Sequence, residues 1–239
     1  MRRIAVLLVL LAAACAPVMP TAPAPAQVPA AGASAPQLAT ALATRNFEIA
    51  VAQVAPVAER ICRVRRPGDN CDFLIVVDER RGVPANAFQT LDRTGRPVLG
   101  FTAALIADAR NVDEIGFVIA HEAAHHIAGH IPRAQNNARL GAVLGGSVAA
   151  AMGITDPEGI NTALRLGASV GARSYSKEFE LEADALGTRI AAAAGLDPLR
   201  GALFFNRVPD PGDRFLGTHP PNADRMRTVA RVAGEMQGE

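Results

Sequence analysis

This chain of 239 residues has few aromatic residues, and its positive and negative charges are nearly balanced. It contains no tryptophan and one tyrosine, and its formal net charge at pH 7 is +1. Proteins that bind nucleic acid usually present a basic face with interleaved aromatic side chains, and no such stripe occurs in this sequence. The composition therefore argues against nucleic acid as a partner. Alanine and glycine are abundant instead, which favours helices that pack closely through small side chains.

Hydrophobic runs long enough to cross a bilayer, about 20 residues, are also missing. The N-terminal run Ile4–Ala14 follows Arg2 and Arg3 and ends in small residues before Cys15, which is the pattern of an export signal. It resembles a bacterial lipobox, in which Cys15 would carry a lipid, although Ala12 stands where leucine is usual.

These features predict the organisation of the chain. We expect residues 1–15 to be a signal peptide. We expect the lipid on Cys15 to hold the protein at the periplasmic face of the bacterial outer membrane, since Ala16 rather than aspartate follows. Plain signal cleavage, giving a soluble periplasmic protein, is the alternative. Residues 16–36 are mostly alanine and proline and cannot build a core, so they predict an extended tether. Residues 37–239 then form one domain.

Only three cysteines are present, and setting Cys15 aside leaves Cys62 and Cys71. They flank a turn-rich segment, and in an oxidising compartment such a pair predicts a disulfide that closes a short loop. A redox or metal-binding role would require closer spacing or further ligands.

Hydrophobic periodicity predicts an α+β domain that is mainly helical, with a small sheet. Pro97 cannot donate to a strand ladder, which predicts an edge strand. Glycines four residues apart, Gly141/Gly145 and Gly167/Gly171, favour ordinary close helix packing over dipping into a membrane. The predicted helices are Gln37–Arg63 with a possible kink at Pro56, Thr102–Ala109, Val112–His130, Arg139–Met152, Asn161–Leu196, Pro198–Phe205 and Asn222–Met236, and the predicted strands are Asp72–Asp78, Asn86–Thr90 and Arg96–Phe101.

Four of the five histidines lie in the segment His121–His130, which contains the pattern His-Glu-x-x-His. On a helix, His121 and His125 lie on one face, so both imidazoles can bind one zinc ion. Glu122 is offset by one position and can accept a proton from a water molecule that zinc acidifies. A purely structural histidine cluster is the alternative.

A zinc site of this kind needs a third protein ligand. His130 is one residue out of register with the extended motif His-Glu-x-x-His-x-x-Gly-x-x-His, so we expect it to face away from the ion with a structural role. The acidic run Glu178–Asp184 supplies a candidate in Glu180, with Asp184 placed to accept the other N–H of a ligand histidine. Taken alone, the run would be read as a solvated helix face.

The sequence resembles the gluzincin metallopeptidases that include HtpX, BepA and the type I CAAX prenyl protease, over roughly residues 61–236. Beyond the two motifs, the similarity extends to Asn86–Phe88, Tyr175–Glu178, Gly195–Pro198 and Thr218–Pro221. The transmembrane helices of HtpX-like members and the C-terminal repeats of BepA are missing, which is typical of a small soluble periplasmic branch. The resemblance implies a zincin-like domain with an edge strand beside the active-site helix. Together with the spacing of the two motifs, the resemblance implies one Zn²⁺ held by His121, His125 and Glu180.

The resemblance further implies that extended polypeptides pair with the edge strand through Val98, Leu99 and Gly100. His219 is then an oxyanion donor, a reversible fourth zinc ligand or a plain surface histidine. Tyr175 is a weaker oxyanion candidate. We therefore expect a zinc metalloendopeptidase acting on unfolded or misassembled envelope proteins. The alternative is a restrained chaperone or assembly lipoprotein with masked zinc.

Overall fold

The computed structural model describes residues 40–210, 212 and 219–238, which all belong to one compact unit. The predicted signal peptide, the tether and the lipidated Cys15 lie outside the described residues, as does the part of the 217–221 loop that precedes His219.

A mainly helical domain carries a small sheet, which confirms the predicted α+β fold class. Its elements are α1 (Thr40–Arg65), β1 (Leu74–Asp78), β2 (Ala87–Leu91), β3 (Pro97–Thr102), α2 (Ala103–Asp108), α3 (Val112–Ile127), α4 (His130–Ala151), α5 (Pro157–Arg173), α6 (Ser176–Ala193), α7 (Pro198–Ala202), a 3₁₀ turn (Leu203–Asn206) and α8 (Asn222–Gln237). None of the helices among the described residues is both long and apolar enough to cross a membrane.

The three strands are arranged in the order β1-β3-β2, so β3 is the central strand. It pairs in parallel with β1 and antiparallel with β2. The prediction that Arg96–Phe101 is an edge strand, open to substrate at Val98, Leu99 and Gly100, is therefore wrong. Pro97 is tolerated because it is the first residue of β3, opposite only Leu91 of β2, where its missing N–H costs little. The edge strand beside the cleft is β2.

Helix α3 runs through the core. Asn111 caps its N-terminus by accepting a hydrogen bond from the backbone N–H of Glu114, 3.0 Å away. Ile115 and Ile119 of its apolar face are fully buried. The predicted helix Val112–His130 ends earlier, because Gly129 adopts a left-handed conformation with φ of +68° and the chain restarts as α4.

Helices α4 and α5 form an antiparallel hairpin built on glycines. A Cβ on Gly141 would lie 2.1 Å from the carbonyl oxygen of Gly167, and a Cβ on Gly145 would lie 2.2 Å from that of Ala163. Only glycine permits this approach of two helix backbones. The continuous helix predicted over Asn161–Leu196 is wrong, since α5 ends at Arg173 and α6 begins at Ser176.

The cysteines predicted to pair, Cys62 and Cys71, form a disulfide in the structure. It joins the end of α1, which continues through Pro56, to the segment before β1. The backbone carbonyl of Asn70 in this loop accepts a hydrogen bond from Nε2 of His126, 2.9 Å away. The loop thereby supports the C-terminal end of α3.

Candidate metal centre

The ligand atoms of His121, His125 and Glu180 converge. Nε2 of His121 lies 3.0 Å from Nε2 of His125, and the Glu180 carboxylate oxygens lie 3.6 Å and 3.3 Å from those nitrogens. Ligands about 2.0–2.1 Å from a tetrahedral zinc ion are separated by about 3.3–3.4 Å. The observed spacing and the two-imidazole, one-carboxylate donor set therefore fit zinc.

Helix α6 reaches this centre because it packs closely on α3. A Cβ on Gly187 would lie only 3.2 Å from the backbone of His121. Since positions four and seven residues apart share a helix face, Gly187 brings Glu180 and Asp184 over the histidines. The sequence places no large side chain at this crossing.

Asp184 orients His121, as the sequence predicts. Its Oδ1 lies 2.9 Å from Nδ1 of His121, which leaves Nε2 to face the metal position. Burial and the Arg225 charge both oppose protonation of His121, but hydrogen bonds to Asp184 and Glu180 outweigh them and raise the pKa of His121 to about 9. In the metal-free protein the His121 ring therefore carries a second proton, and with it a positive charge, at neutral pH.

Arg225, on α8, balances the charge of this buried cluster. It binds both oxygens of Asp184, at 2.8 Å and 2.7 Å, and its guanidinium lies 4.0 Å above the Phe205 ring. Burial raises the pKa of Asp184, but the charge and hydrogen bonds of Arg225 outweigh it and leave this pKa below its ordinary value. When His121 is neutral, as a metal ligand must be, Arg225 is the one cation that faces the three buried carboxylates of Glu122, Glu180 and Asp184. A divalent ion would balance the remaining two charges.

His130 orients His125, contrary to the expectation that it faces away with a purely structural role. The Nδ1 atoms of the two rings lie 2.8 Å apart, and Nε2 of His130 lies 3.3 Å from Oε2 of Glu182. Burial and the neighbouring His125 lower the pKa of His130 to about 4, so the ring is neutral. Donation to Glu182 from Nε2–H leaves Nδ1 to accept from His125, whose Nε2 is then free for a metal.

Glu122 faces the same cleft from α3, next to the ligand histidines. Its side chain is buried, and burial raises the pKa of its carboxyl group despite the opposing histidine charges. No hydrogen bond within the described residues occupies this carboxylate. A buried, unengaged carboxylate with a raised pKa is suited to accept and return a proton.

His219 contacts the centre at its rim. Its Nδ1 lies 3.1 Å from Oε2 of Glu180, although its side chain is 55% exposed. Burial opposes ionisation of Glu180, but the adjacent His121, His125 and His219 rings outweigh it and hold the pKa of Glu180 well below the usual range. Tyr175 is exposed and does not line the cleft, so the structure does not bring it to this centre.

A cleft of about 600 Å³ opens over the three ligands. Residues 85–89, at the start of β2, form one wall, and Phe204, Phe205 and Val208 contribute apolar surface. The backbone N–H of Thr102 bonds to the carbonyl of Asn86, and that of Asp92 bonds to the carbonyl of Arg96. By the alternation of an antiparallel ladder, Ala87 and Gln89 present their backbone groups to the open edge.

Sequence reasoning missed Arg225 and gave His130 the wrong orientation. Arg225 is one of three arginines in α8, and only the packing of α8 on α6 distinguishes it from the exposed ones. His130 had a signal, because it is a histidine only five residues after the end of the motif. Its role was missed because His130 was compared only with the third ligand of the extended motif His-Glu-x-x-His-x-x-Gly-x-x-His, from which it is one residue out of register.

A model of peptidase family M48 matches residues 50–233 of the chain. The matched span contains the three converging ligands, Glu122 and both orienting residues, as well as His219.

Proposed function

The chain belongs to peptidase family M48, and from that premise we propose that it is a zinc-dependent metalloendopeptidase acting on extended, unfolded polypeptides. The observation that carries this proposal is the convergence of His121, His125 and Glu180 within 4.8 Å of one another, in a cleft that also holds Glu122.

The proposed reaction is hydrolysis of a peptide bond. Zinc held by His121, His125 and Glu180 would supply Lewis acidity, polarising the scissile carbonyl and acidifying a water molecule. Glu122 accepts a proton from the water molecule as the water oxygen bonds to the carbonyl carbon. The same carboxyl group then gives this proton to the amine nitrogen as the C–N bond breaks. Asp184 and His130 keep the ligand imidazoles in the required tautomers.

Substrate binding is proposed to occur at the open edge of β2. An extended peptide that adds to this edge would form backbone hydrogen bonds with Ala87 and Gln89. It would be recognised by its extended conformation rather than by its sequence. Such recognition favours unfolded chains, since a folded protein rarely offers a free strand. Misassembled envelope proteins are the substrates that an exported enzyme of this type would meet.

His219 has two proposed roles. As a donor it would stabilise the negative charge that develops on the carbonyl oxygen, and as a reversible ligand it would mask the zinc. Its contact with Glu180 supports a second candidate function, a catalytically restrained chaperone or assembly lipoprotein. The variant His219→Ala separates the roles, because loss of an oxyanion donor lowers kcat about 100-fold or more, whereas loss of a mask raises activity.

We also propose export and tethering. Residues 1–15 would be the signal peptide and residues 16–36 the tether, with residues 37–239 held at the outer membrane by a lipid on Cys15. Mass spectrometry of the N-terminal peptide tests this assignment. A lipid-modified mass that disappears in Cys15→Ser supports it, and an unmodified mature N-terminus contradicts it.

The test of activity compares zinc-loaded wild-type protein with Glu122→Gln, using casein as an unfolded substrate. We expect cleavage by the wild type alone, with equal zinc in both proteins, because glutamine keeps the shape but cannot accept the proton. Equal cleavage by both would remove Glu122 from the mechanism. Full zinc occupancy without cleavage by the wild type or by Glu122→Gln would favour the second candidate function, a catalytically restrained chaperone or assembly lipoprotein.

A further inference from the structure

The helical hairpin separates the two parts of the metal centre along the chain. His125 lies in the last turn of α3, and Glu180 lies in α6, with α4 and α5 between them. The relative position of these two ligands therefore depends on the packing of α6 on α3 and on the side chains that join α4 to α6 at the base of the hairpin.

Four side chains make such a junction. His130 and Arg133 come from the first turn of α4, Phe179 and Glu182 come from α6, and the four are here called the base cluster. The His130 ring stacks on Phe179 with 10° between the planes, and the Arg133 guanidinium lies 4.4 Å from the centre of the Phe179 ring. Oε2 of Glu182 accepts hydrogen bonds from Nη1 of Arg133 at 2.7 Å and from Nε2 of His130 at 3.3 Å. Each α4 residue of the cluster thus contacts both α6 residues.

The base cluster adjoins the metal ligands on both sides of the junction. Nδ1 of His130 lies 2.8 Å from Nδ1 of the ligand His125. On α6, the ligand Glu180 stands between the two cluster residues in sequence. Arg133 also donates to the backbone carbonyl of Ala128, which caps α3. The cluster therefore connects the helix end that carries a ligand histidine to the segment that carries the ligand carboxylate.

The chemistry of Glu182 determines which nitrogen of His130 carries the proton. An ionised carboxylate can only accept hydrogen bonds, and a neutral imidazole has one N–H. The contact with Glu182 therefore places the His130 proton on Nε2, which leaves Nδ1 to accept from His125. Without this acceptor, the His130 proton can move to Nδ1, where it would oppose the Nδ1–H of His125.

We propose that Glu182 and Arg133 are positioning residues for the metal. Glu182 selects the tautomer of His130 and, through it, that of His125, while Arg133 fixes the carboxylate and the Phe179 ring. This inference rests on the zinc site of the proposed function and extends it to two surface residues, whose side chains are each 46% exposed. Ion pairs as exposed as this one contribute little to folding, so we expect the main effect on zinc affinity.

The first test measures the zinc affinity of full-length variants by competition with a chelating dye. Glu182→Ala should lower the affinity about tenfold, the lower end of the loss for outer partners of ligand histidines, because Glu182 acts through a second ring. Glu182→Gln keeps an acceptor oxygen and should recover most of the affinity. Arg133→Ala leaves the contact between Glu182 and His130 in place and should cause a smaller loss than Glu182→Ala.

The matched control is Glu235→Ala. Glu235 pairs with Arg189 of α6, and the two side chains are 44% and 45% exposed, close to those of the tested pair. This control should bind zinc as the wild type does. Urea denaturation of the metal-free proteins should give similar midpoints for Glu182→Ala and Glu235→Ala, which separates a loss of positioning from a loss of folding.

A double variant tests whether Glu182 acts through His130. In the His130→Ala background, Glu182→Ala should cause no further loss of zinc affinity, because interacting residues are not additive. Long-range proton–nitrogen NMR spectra of the zinc-loaded wild type should show one tautomer at His130 and one at His125. Glu182→Ala should show a mixture of tautomers at His130.

Three results would overturn the proposal: equal zinc affinities in Glu182→Ala and Glu235→Ala, losses that add in the double variant, or a fall in affinity that merely follows unfolding of Glu182→Ala. All of these measurements are made without hydrolysis. A wild type that binds no zinc would instead overturn the proposed function together with this inference.

Discussion

The ring of His130 determines which nitrogen of His125 is free to bind a metal. His130 accepts a hydrogen bond from Nδ1 of His125 and donates one from Nε2–H to Glu182. Its ring stacks on Phe179 at a centroid distance of 4.6 Å. Partners of this kind fix the tautomer and the angle of a metal ligand without touching the ion.

We predict that His130→Ala lowers zinc affinity about 10- to 100-fold, the usual cost of losing an outer partner of a ligand histidine. Competition with a chelating dye measures this affinity. The matched control is His126→Ala, on the last turn of α3, whose ring contacts Asn70 instead. Equal affinities in the two variants would mean that His130 is only a packing residue.

The proton on His121 predicts a pH dependence of metal binding. Because the pKa of His121 is raised to about 9, zinc must displace a proton below that pH. We expect zinc affinity in chelator-buffered solutions to rise about tenfold per pH unit from pH 7 and to level off near pH 9.

The same proton stabilises the metal-free fold, fully below the ordinary value of 6.5 and progressively less as pH rises through about 9. Asp184→Asn removes an interaction that raises this pKa, so the plateau in zinc affinity should begin at lower pH. A pH-independent affinity in the wild type would show that no proton competes with zinc at His121.

At the scale of elements, the start of α3 is tied to the 3₁₀ turn by a buried ion pair. Arg207 binds both oxygens of Glu114 at 2.9 Å and 2.5 Å, and Glu114 is 2% exposed. This pair holds the apolar wall formed by Phe204 and Phe205 against the N-terminal half of the helix that carries the ligands.

We predict that Arg207→Met lowers the free energy of unfolding by about 3–5 kcal/mol, because it leaves the Glu114 carboxylate buried without its charged partner. Urea denaturation of the metal-free protein measures this loss. Arg231→Met serves as the control, since its partner Glu235 is exposed and such a pair contributes at most about 1 kcal/mol. A similar small change in both variants would contradict the assigned role of the buried pair.

Local spacing could predict some elements and could not predict the arrangement of others. The helix that carries His121 and His125 follows from its apolar periodicity, because a helix face is set by residues three and four apart. Strand order is decided by contacts between distant segments, so a proline at the start of β3 gave the misleading expectation of an edge. The break between α5 and α6 was missed because helical residues continue on both sides of it.

For the molecule as a whole, the sequence could predict the chemistry of the site better than the residues that support it. His121, Glu122 and His125 share one motif, and Glu180 and Asp184 share another. Arg225 enters from α8, which is remote in sequence, and only tertiary packing gives it a role. The exposure of Leu140, Leu144 and Val148 on α4 was likewise hidden, because glycine spacing predicts close helix packing without showing which side chains stay exposed.

The measurement that tests the central claim most directly is hydrolysis of casein as a function of zinc added to the metal-free, full-length protein. We predict that activity rises in proportion to bound zinc and saturates at one ion per chain. Glu122→Gln should bind the same single ion without activity, and Glu180→Gln should not reach full occupancy at the same zinc concentration. Hydrolysis by metal-free protein, or full zinc binding by Glu180→Gln, would contradict the account.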